Sequence, residues 1–344
     1  MTAAPEPSAT GSPAGTPAGA TASAAAAAPP CPVCGSSPDA FRPAFRAEGH
    51  AFARCRRCRF VRMIDGPATA RLDAFYRADR ASADAALQDH DKNLRRFTAI
   101  LEQIERHRSP AQTPDRAPPL FVDIGCSIGT SLLAAQARGW RAIGLELAQS
   151  AVEVAQRRFE LDVRAVTVDD SGLPRGSVAA VLMHHTLEHV EHPDRLLRRI
   201  HEVLEPGGVM YQCLPNHGSL KALLLGRHFG YGITDEHLSH FTPATLRRVV
   251  RRAGFDVLRT ATWSYRQDPR LLHDVCQRVG LGKWLAKKCG MPPGEPVDAP
   301  HYIDFLSRTP WAFSFCNRLW PQRLCRWLRL GEDLHLIAQK PPTA

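Results

Sequence analysis

The stretch Leu120-Phe121-Val122-Asp123-Ile124-Gly125-Cys126-Ser127-Ile128-Gly129-Thr130 constrains this chain more than any other. Leu120 to Val122 is an apolar run that reads as a short buried strand. Asp123 ends it, a glycine-bearing turn comes next, and then the helical pattern Ile128, Leu132, Leu133 and Ala135. Such a unit brings backbone N–H groups to the C-terminal edge of a parallel sheet, where open α/β sheets bind ligands. Gly125 and Gly129 let a nucleoside-bearing ligand approach the main chain with no Cβ in the way. Many nucleotide-binding folds share such a unit, so its meaning depends on the strands and loops downstream of it.

About twenty residues on, Arg141-Ala142-Ile143-Gly144-Leu145 reads as a second strand ending in Glu146. A carboxylate at that tip can accept hydrogen bonds from both hydroxyls of a ribose. A third strand is expected near Asp162 to Val168, ending in Asp169-Asp170. The fourth, Ser177 to Met183, runs into His184-His185-Thr186-Leu187-Glu188-His189-Val190. A helix and Leu204-Glu205-Pro206-Gly207-Gly208 lead to a fifth strand that stops at Pro215-Asn216.

This series resembles the class I S-adenosylmethionine-dependent methyltransferases, from roughly Pro118 to Trp263 and again near Leu334 to Lys340. The resemblance implies an α/β, Rossmann-like seven-stranded sheet with helices on both faces. It also implies that Asp123, Gly125, Cys126, Ser127 and Gly129 hold the methionine end of the cofactor. Glu146 would hold the ribose, Asp169 or Asp170 would lie near the adenine, and His184 would border the same pocket. Leu187-Glu188-His189, Leu204-x-Pro206-Gly207-Gly208 and Asp235-Glu236-His237-Leu238-Ser239-His240-Phe241-Thr242 match the branch that methylates small molecules, sugars and lipids. Ser127 replaces the usual middle glycine, a change compatible with cofactor approach if φ is negative there. Val178-Ala179 replaces the usual Phe-Asp pair entering strand four.

Upstream, Cys31-Pro32-Val33-Cys34-Gly35 and Cys55-Arg56-Arg57-Cys58 can converge on one tetrahedral Zn²⁺. Four thiolates close the coordination shell, so that zinc would be structural. The remaining cysteines are scattered, and no secretory signal or spanning apolar run is present, which leads to the expectation of a reduced, cytoplasmic protein. The net charge is +10, and seven arginines lie between Arg42 and Arg62 against one glutamate. Such a field attracts nucleic acid, anionic membrane or phosphorylated substrates alike.

The expected organisation is a low-complexity, disordered tail (1–30), a zinc ribbon (31–62), and a helical lid with a Pro-rich linker (63–117). The methyltransferase core (118–263) comes next, then a basic amphipathic insertion (264–331), and the final core strand with the tail (332–344). Thr242-Pro243 reads as an N-cap followed by proline in the first turn of a helix. Within the insertion Trp320, Leu324, Trp327 and Leu328 share one helical face. That face suits peripheral contact with a membrane through 311–329, or packing on its own domain or on a twin subunit, and packing is preferred.

Methyl transfer from a sulfonium is a direct displacement in which the protein aligns the acceptor and, where needed, takes its proton. Candidate bases are His237, with Glu236 beside it, and His185. His237 ranks first because related sugar methyltransferases with an amino-terminal four-cysteine module carry a Glu-His pair in a similar place. The expected acceptor is a small molecule, a sugar or a lipid-linked compound. Two alternatives remain: a ribosomal-RNA base methyltransferase, with Arg54, Arg56, Arg57, Arg59 and Arg62 on phosphates, and a catalytically silent binding protein.

Overall fold

The computed structural model describes residues 29–47, 49–65, 81–108, 117–229, 233–234, 236–263, 276, 278–291 and 322–342. The low-complexity tail, Tyr76, most of the Pro-rich linker, Asp235 and the aromatic run 311–320 lie outside the described residues.

Three short strands come first: β1 (Phe41–Ala47), β2 (His50–Cys55) and β3 (Val61–Met63), each antiparallel to the next. One cysteine pair precedes β1 and the other lies where β2 leads into β3, each in a tight turn. Gly35 N–H donates to the Cys31 carbonyl at 2.7 Å, and Arg59 N–H to that of Cys55 at 2.9 Å. Both donors have left-handed φ, +72° and +64°. Gly35 adopts this conformation freely, while Arg59 does so at a steric cost of about 1–2 kcal/mol.

Helices α1 (Ala81–Gln88) and α2 (His90–His107) precede the main sheet. That sheet contains β4 (Leu120–Ile124), β5 (Arg141–Leu145), β6 (Val163–Arg164), β7 (Val178–His184) and β8 (Leu204–Pro215). Helices α3 (Thr130–Gln136), α4 (Gln149–Phe159) and α5 (Pro193–Val203) connect them. After α6 (Leu220–Leu225) and β9 (Ser239–His240) come α7 (Pro243–Arg252) and β10 (Asp256–Trp263). The insertion contributes α8 (Gly282–Lys288) and α9 (Gln322–Trp327), and β11 (Asp333–Gln339) closes the sheet. The order is β10-β11-β8-β7-β4-β5-β6, with β11 antiparallel to both neighbours and the strands from β8 to β6 parallel.

Every residue of β4 is buried, as a central parallel strand requires. Leu120, Val122 and Ile124 pack with Leu197, Ile200, Leu246 and Val249 on one face. Phe121 packs with Ile100, Leu101, Ile104 and Leu132 on the other. The expected third strand is much shorter than the run from Asp162 to Val168. Only Val163 and Arg164 pair with β5, because the chain then turns and Arg164 spends its guanidinium on Asp162 and the Ser171 carbonyl. At α7 the expected cap forms: Thr242 and Thr245 make a reciprocal capping box, with Pro243 in the first turn.

The ribbon is continuous with the main domain. Strand β3 pairs with β9, Val61 opposite His240 and Arg62 opposite Ser239, so a segment from beyond β8 becomes the ribbon's fourth strand. Cys31, Val33, Cys55 and Phe60 belong to the same buried cluster as Leu246 and Val249.

Candidate active site

The C-terminal edge of the parallel strands gathers most of the chemistry. The β4 turn is held from the next strand: Gly125 N–H donates to the Leu145 carbonyl at 2.7 Å, and Ser127 N–H to Glu146 Oε2 at 2.8 Å. Glu146 Oε1 accepts from the amides of Leu147 and Ala148 at 2.7 and 2.8 Å. One carboxylate thus orders both loops and keeps lone-pair capacity for a ribose. Ser127 has φ of +50°, so the condition of negative φ is not met; the residue sits in the left-handed region. Its amide bond to Glu146 offsets part of that strain.

Asp123 is buried, and its Oδ2 accepts from Ser131 Oγ. Burial is the main cause that pushes its carboxyl up to about 7; the Ser131 bond opposes this and the Glu146 charge adds to it. Its Oδ1 has no hydrogen-bond partner among the described residues. An orphaned buried carboxylate oxygen beside a glycine turn fits a ligand that carries a cationic amine. Gly125, at φ +78°, admits no side chain, since a Cβ would stand 2.6 Å from Thr186 Oγ1. Thr186 Oγ1 in turn donates to the Ile124 carbonyl at 2.9 Å, joining the loop after β7 to the glycine turn. Cys126 is buried behind this turn.

Asp169 and Asp170 are exposed. Asp169 lies 3.7 Å from Arg199 Nε, and Asp170 accepts from Thr167 Oγ1 at 2.7 Å. His184 ends β7 with its ring edge-on to Phe97 of α2, at 5.4 Å. Burial, followed by the neighbouring His185, lowers its pKa well below the ordinary value.

His185 comes next, at φ +58°. Its Nδ1 lies 3.1 Å from Oε1 of Glu188, whose side chain is 2 % exposed against 27 % for His185. Burial alone would lower the histidine, but the Glu188 hydrogen bond and charge outweigh it and His185 is raised. His189 and His335 move the opposite way, burial bringing each to about 4. His185 Nε2 faces Cys213 Sγ at 3.9 Å. His237 is 8 % exposed, with its ring 4.8 Å from that of His189. Glu236 meets His189 Nδ1 with both its carbonyl, at 3.1 Å, and its carboxylate Oε2, at 4.0 Å.

Cys213, His335 and Tyr211 carried no sequence signal. Tyr211 hydroxyl and His335 Nδ1 are 2.9 Å apart, and His335 Nε2 is 3.9 Å from Cys213 Sγ, across residues far apart in the chain. Only the adjacency of β8 and β11 unites them.

The four ribbon thiols converge as expected. Sγ of Cys31 and Cys58 are 3.6 Å apart, those of Cys34 and Cys55 3.7 Å, and all four lie within 4.8 Å of one another. A tetrahedral zinc with bonds of about 2.3 Å has sulfur–sulfur edges of about 3.8 Å. The donor set therefore fits that ion.

The sheet order and the glycine turn at its edge are those of the class I S-adenosylmethionine-dependent methyltransferases, and the match to a methyltransferase family together with the named relatives makes the chain an enzyme of that class. More particularly, residues 92–260 match the family described as methyltransferase domain. The ubiquinone biosynthesis O-methyltransferase of Chromobacterium violaceum is 27% identical over 184 residues, spanning 50% of this chain and 76% of that protein. The trans-aconitate 2-methyltransferase of Methylobacterium radiotolerans is 25% identical over 215 residues, 57% of this chain and 78% of that one. A crystal structure of an S-adenosylmethionine-dependent methyltransferase from Archaeoglobus fulgidus superposes with a TM-score of 0.45 at 16% identity, covering 74% of this chain and 98% of that one.

Proposed function

We propose that this enzyme methylates a hydroxyl-bearing small molecule, a sugar or a lipid-linked acceptor. His185 is the base, and the four cysteines hold a structural zinc. The observation that carries the reading is the contact between the two loops. The glycine turn and Thr186 meet directly, and Thr186 is preceded by a histidine held by a buried carboxylate.

The cofactor supplies the activated methyl group and the leaving group. Asp123 and the 125–129 turn hold its methionine end, and Glu146 holds the ribose. Asp169, Asp170 and His184 line the adenine side. Glu188 fixes the His185 tautomer: a proton on Nδ1 faces the carboxylate, so Nε2 is the atom that accepts a proton from the acceptor. His237, favoured from the sequence, is less accessible than His185 and ranks second as base. Support for a small acceptor comes from the two relatives, whose names specify ubiquinone biosynthesis and trans-aconitate. The insertion retains an exposed apolar end, with Trp327 79 % and Leu328 46 % exposed, and this favours peripheral membrane contact as the route to a lipid-linked acceptor.

The test offers methyl-labelled S-adenosylmethionine and the zinc-loaded protein to aqueous, lipid and RNA extracts. Label in the aqueous or lipid fraction is expected; label in RNA alone overturns the acceptor class. With an acceptor in hand, His185→Gln is expected to lower kcat about 10²–10⁴-fold with cofactor affinity retained. An unchanged kcat removes His185 as the base.

A further inference from the structure

The loop after β7 does more than carry a base. Leu187–His189 forms a single 3₁₀ turn that buries Glu188, leaves His189 half-buried, and sets both beside His237 from the segment before β9. One ligand atom from each of the three residues lies within 4.8 Å of the other two.

We propose that Glu188, His189 and His237 form a second metal site, an open centre for a divalent transition cation that holds the acceptor oxygen next to the methyl donor.

Three observations carry it. Glu188 is 1 % exposed, and its Oε2 has no hydrogen-bond partner among the described residues, while Oε1 is the oxygen facing His185. A buried carboxylate oxygen without a partner is costly unless something cationic fills the space. Second, His189 Nδ1 sits 3.1 Å from the Glu236 carbonyl. A carbonyl only accepts, so the proton is on Nδ1 and the lone pair is on Nε2, which lies 4.0 Å from Glu188 Oε1. Metal-binding histidines are held in this way, with the outer nitrogen donating to a carbonyl. Third, the separations suit an ion. Bonds of about 2.0–2.2 Å in a tetrahedral shell put ligand atoms about 3.3–3.6 Å apart, so the 4.0 Å between His189 Nε2 and Glu188 Oε1 closes by about half an ångström when an ion binds.

The donor set also selects the ion. Two imidazoles and a carboxylate favour zinc, iron or cobalt over magnesium and calcium, which prefer all-oxygen shells. Three protein ligands leave coordination positions open, whereas the four-cysteine set leaves none. The ribbon ion would therefore be structural and this one would take part in the reaction.

The role of the ion, though not its binding, rests on the methyltransferase reading above. The acceptor hydroxyl binds the ion, which acidifies it, and its proton passes to His185 Nε2. The oxygen lone pair forms the bond to the methyl carbon while the carbon–sulfur bond breaks. That bonding pair stays on sulfur, converting the sulfonium to a neutral thioether.

The experiment uses the full chain with its ribbon zinc in place and Co²⁺ as the probe. Equilibrium dialysis is expected to give one Co²⁺ beyond the ribbon metal, with weak visible bands and no intense thiolate charge-transfer absorption. Glu188→Gln and His237→Gln should each weaken this Co²⁺ at least about tenfold, the scale already set by losing an outer-shell partner. Ribbon zinc content and melting temperature identify variants that fail to fold, and the wild-type stoichiometry stands without them. No additional Co²⁺, or one that both folded variants bind as tightly as the wild type, overturns the site. Methyl transfer that survives chelation unchanged removes the ion's role and leaves the methyltransferase reading standing. One bound Co²⁺ with no methyl transfer to any extract does the reverse.

Discussion

At the scale of single residues, Asp123 sets the clearest pH dependence. Its folded pKa of about 7 stands above the ordinary 3.8, with burial the main cause. A group raised in this way contributes stability that is fully present below the ordinary value and is lost as pH rises through the folded value. Between pH 5.5 and 8 the ligand-free protein should therefore lose melting temperature relative to Asp123→Asn, which carries no such charge. Parallel melting curves for the two proteins would refute the assignment. A cofactor ammonium placed against Oδ1 favours the ionised form, so added S-adenosylmethionine should shrink the difference. Asp123 and Glu146 were legible because each ends an apolar run. The left-handed backbone of Ser127, Arg59 and His185 was not, since none of those residue types announces it.

Among the elements, the root of the insertion shows how a long excursion is tied down. Lys221 of α6 and Glu332, just before β11, are each 1 % exposed and 3.2 Å apart. Asn216, at the end of β8, adds bonds from its main-chain and side-chain nitrogens to the carbonyls of Glu332 and Gly331, at 2.6 and 2.7 Å. Removing one partner of a buried pair leaves the other charge stranded, so Lys221→Met should destabilise the protein by about 3–5 kcal/mol in urea unfolding. Lys221→Met combined with Glu332→Leu should recover much of that loss. A single variant as stable as the wild type would show that the pair is dispensable. This clamp was invisible in the sequence, where a lysine in Leu220–Leu225 reads as a solvated position. The capping box of α7 was visible, because Thr242 and Pro243 act on their own turn.

Across the whole molecule, local signals and tertiary contacts divide in the same way. The class of sheet was legible in apolar runs separated by glycine turns, and the cysteine spacing brought four thiols together. Docking of the ribbon through β9 and the meeting of Tyr211, Cys213 and His335 depend on strand adjacency, which no local pattern encodes. Charge is also a property at this scale. Arg247, Arg251, Arg259 and Arg329 line one groove, and the net charge is +10. Among the described residues no helix is long and apolar enough to cross a membrane. If the proposed membrane contact holds, the protein floats with vesicles containing phosphatidylserine and less with neutral ones. Trp327→Ala should reduce flotation, and absence of flotation with either lipid would rule out the membrane contact.

The pairing of β3 with β9 has a consequence in time. A ribosome making roughly 5–20 residues per second completes Met63 about 9 to 35 s before it reaches Ser239. Throughout that interval the four ribbon cysteines can meet, but the outer strand has no partner and Phe60 lacks the Phe241 ring, 5.2 Å away in the finished fold. The segment that supplies the partner also carries His237. That part of the sheet edge is therefore assembled late in synthesis, on a ribbon that was made before it.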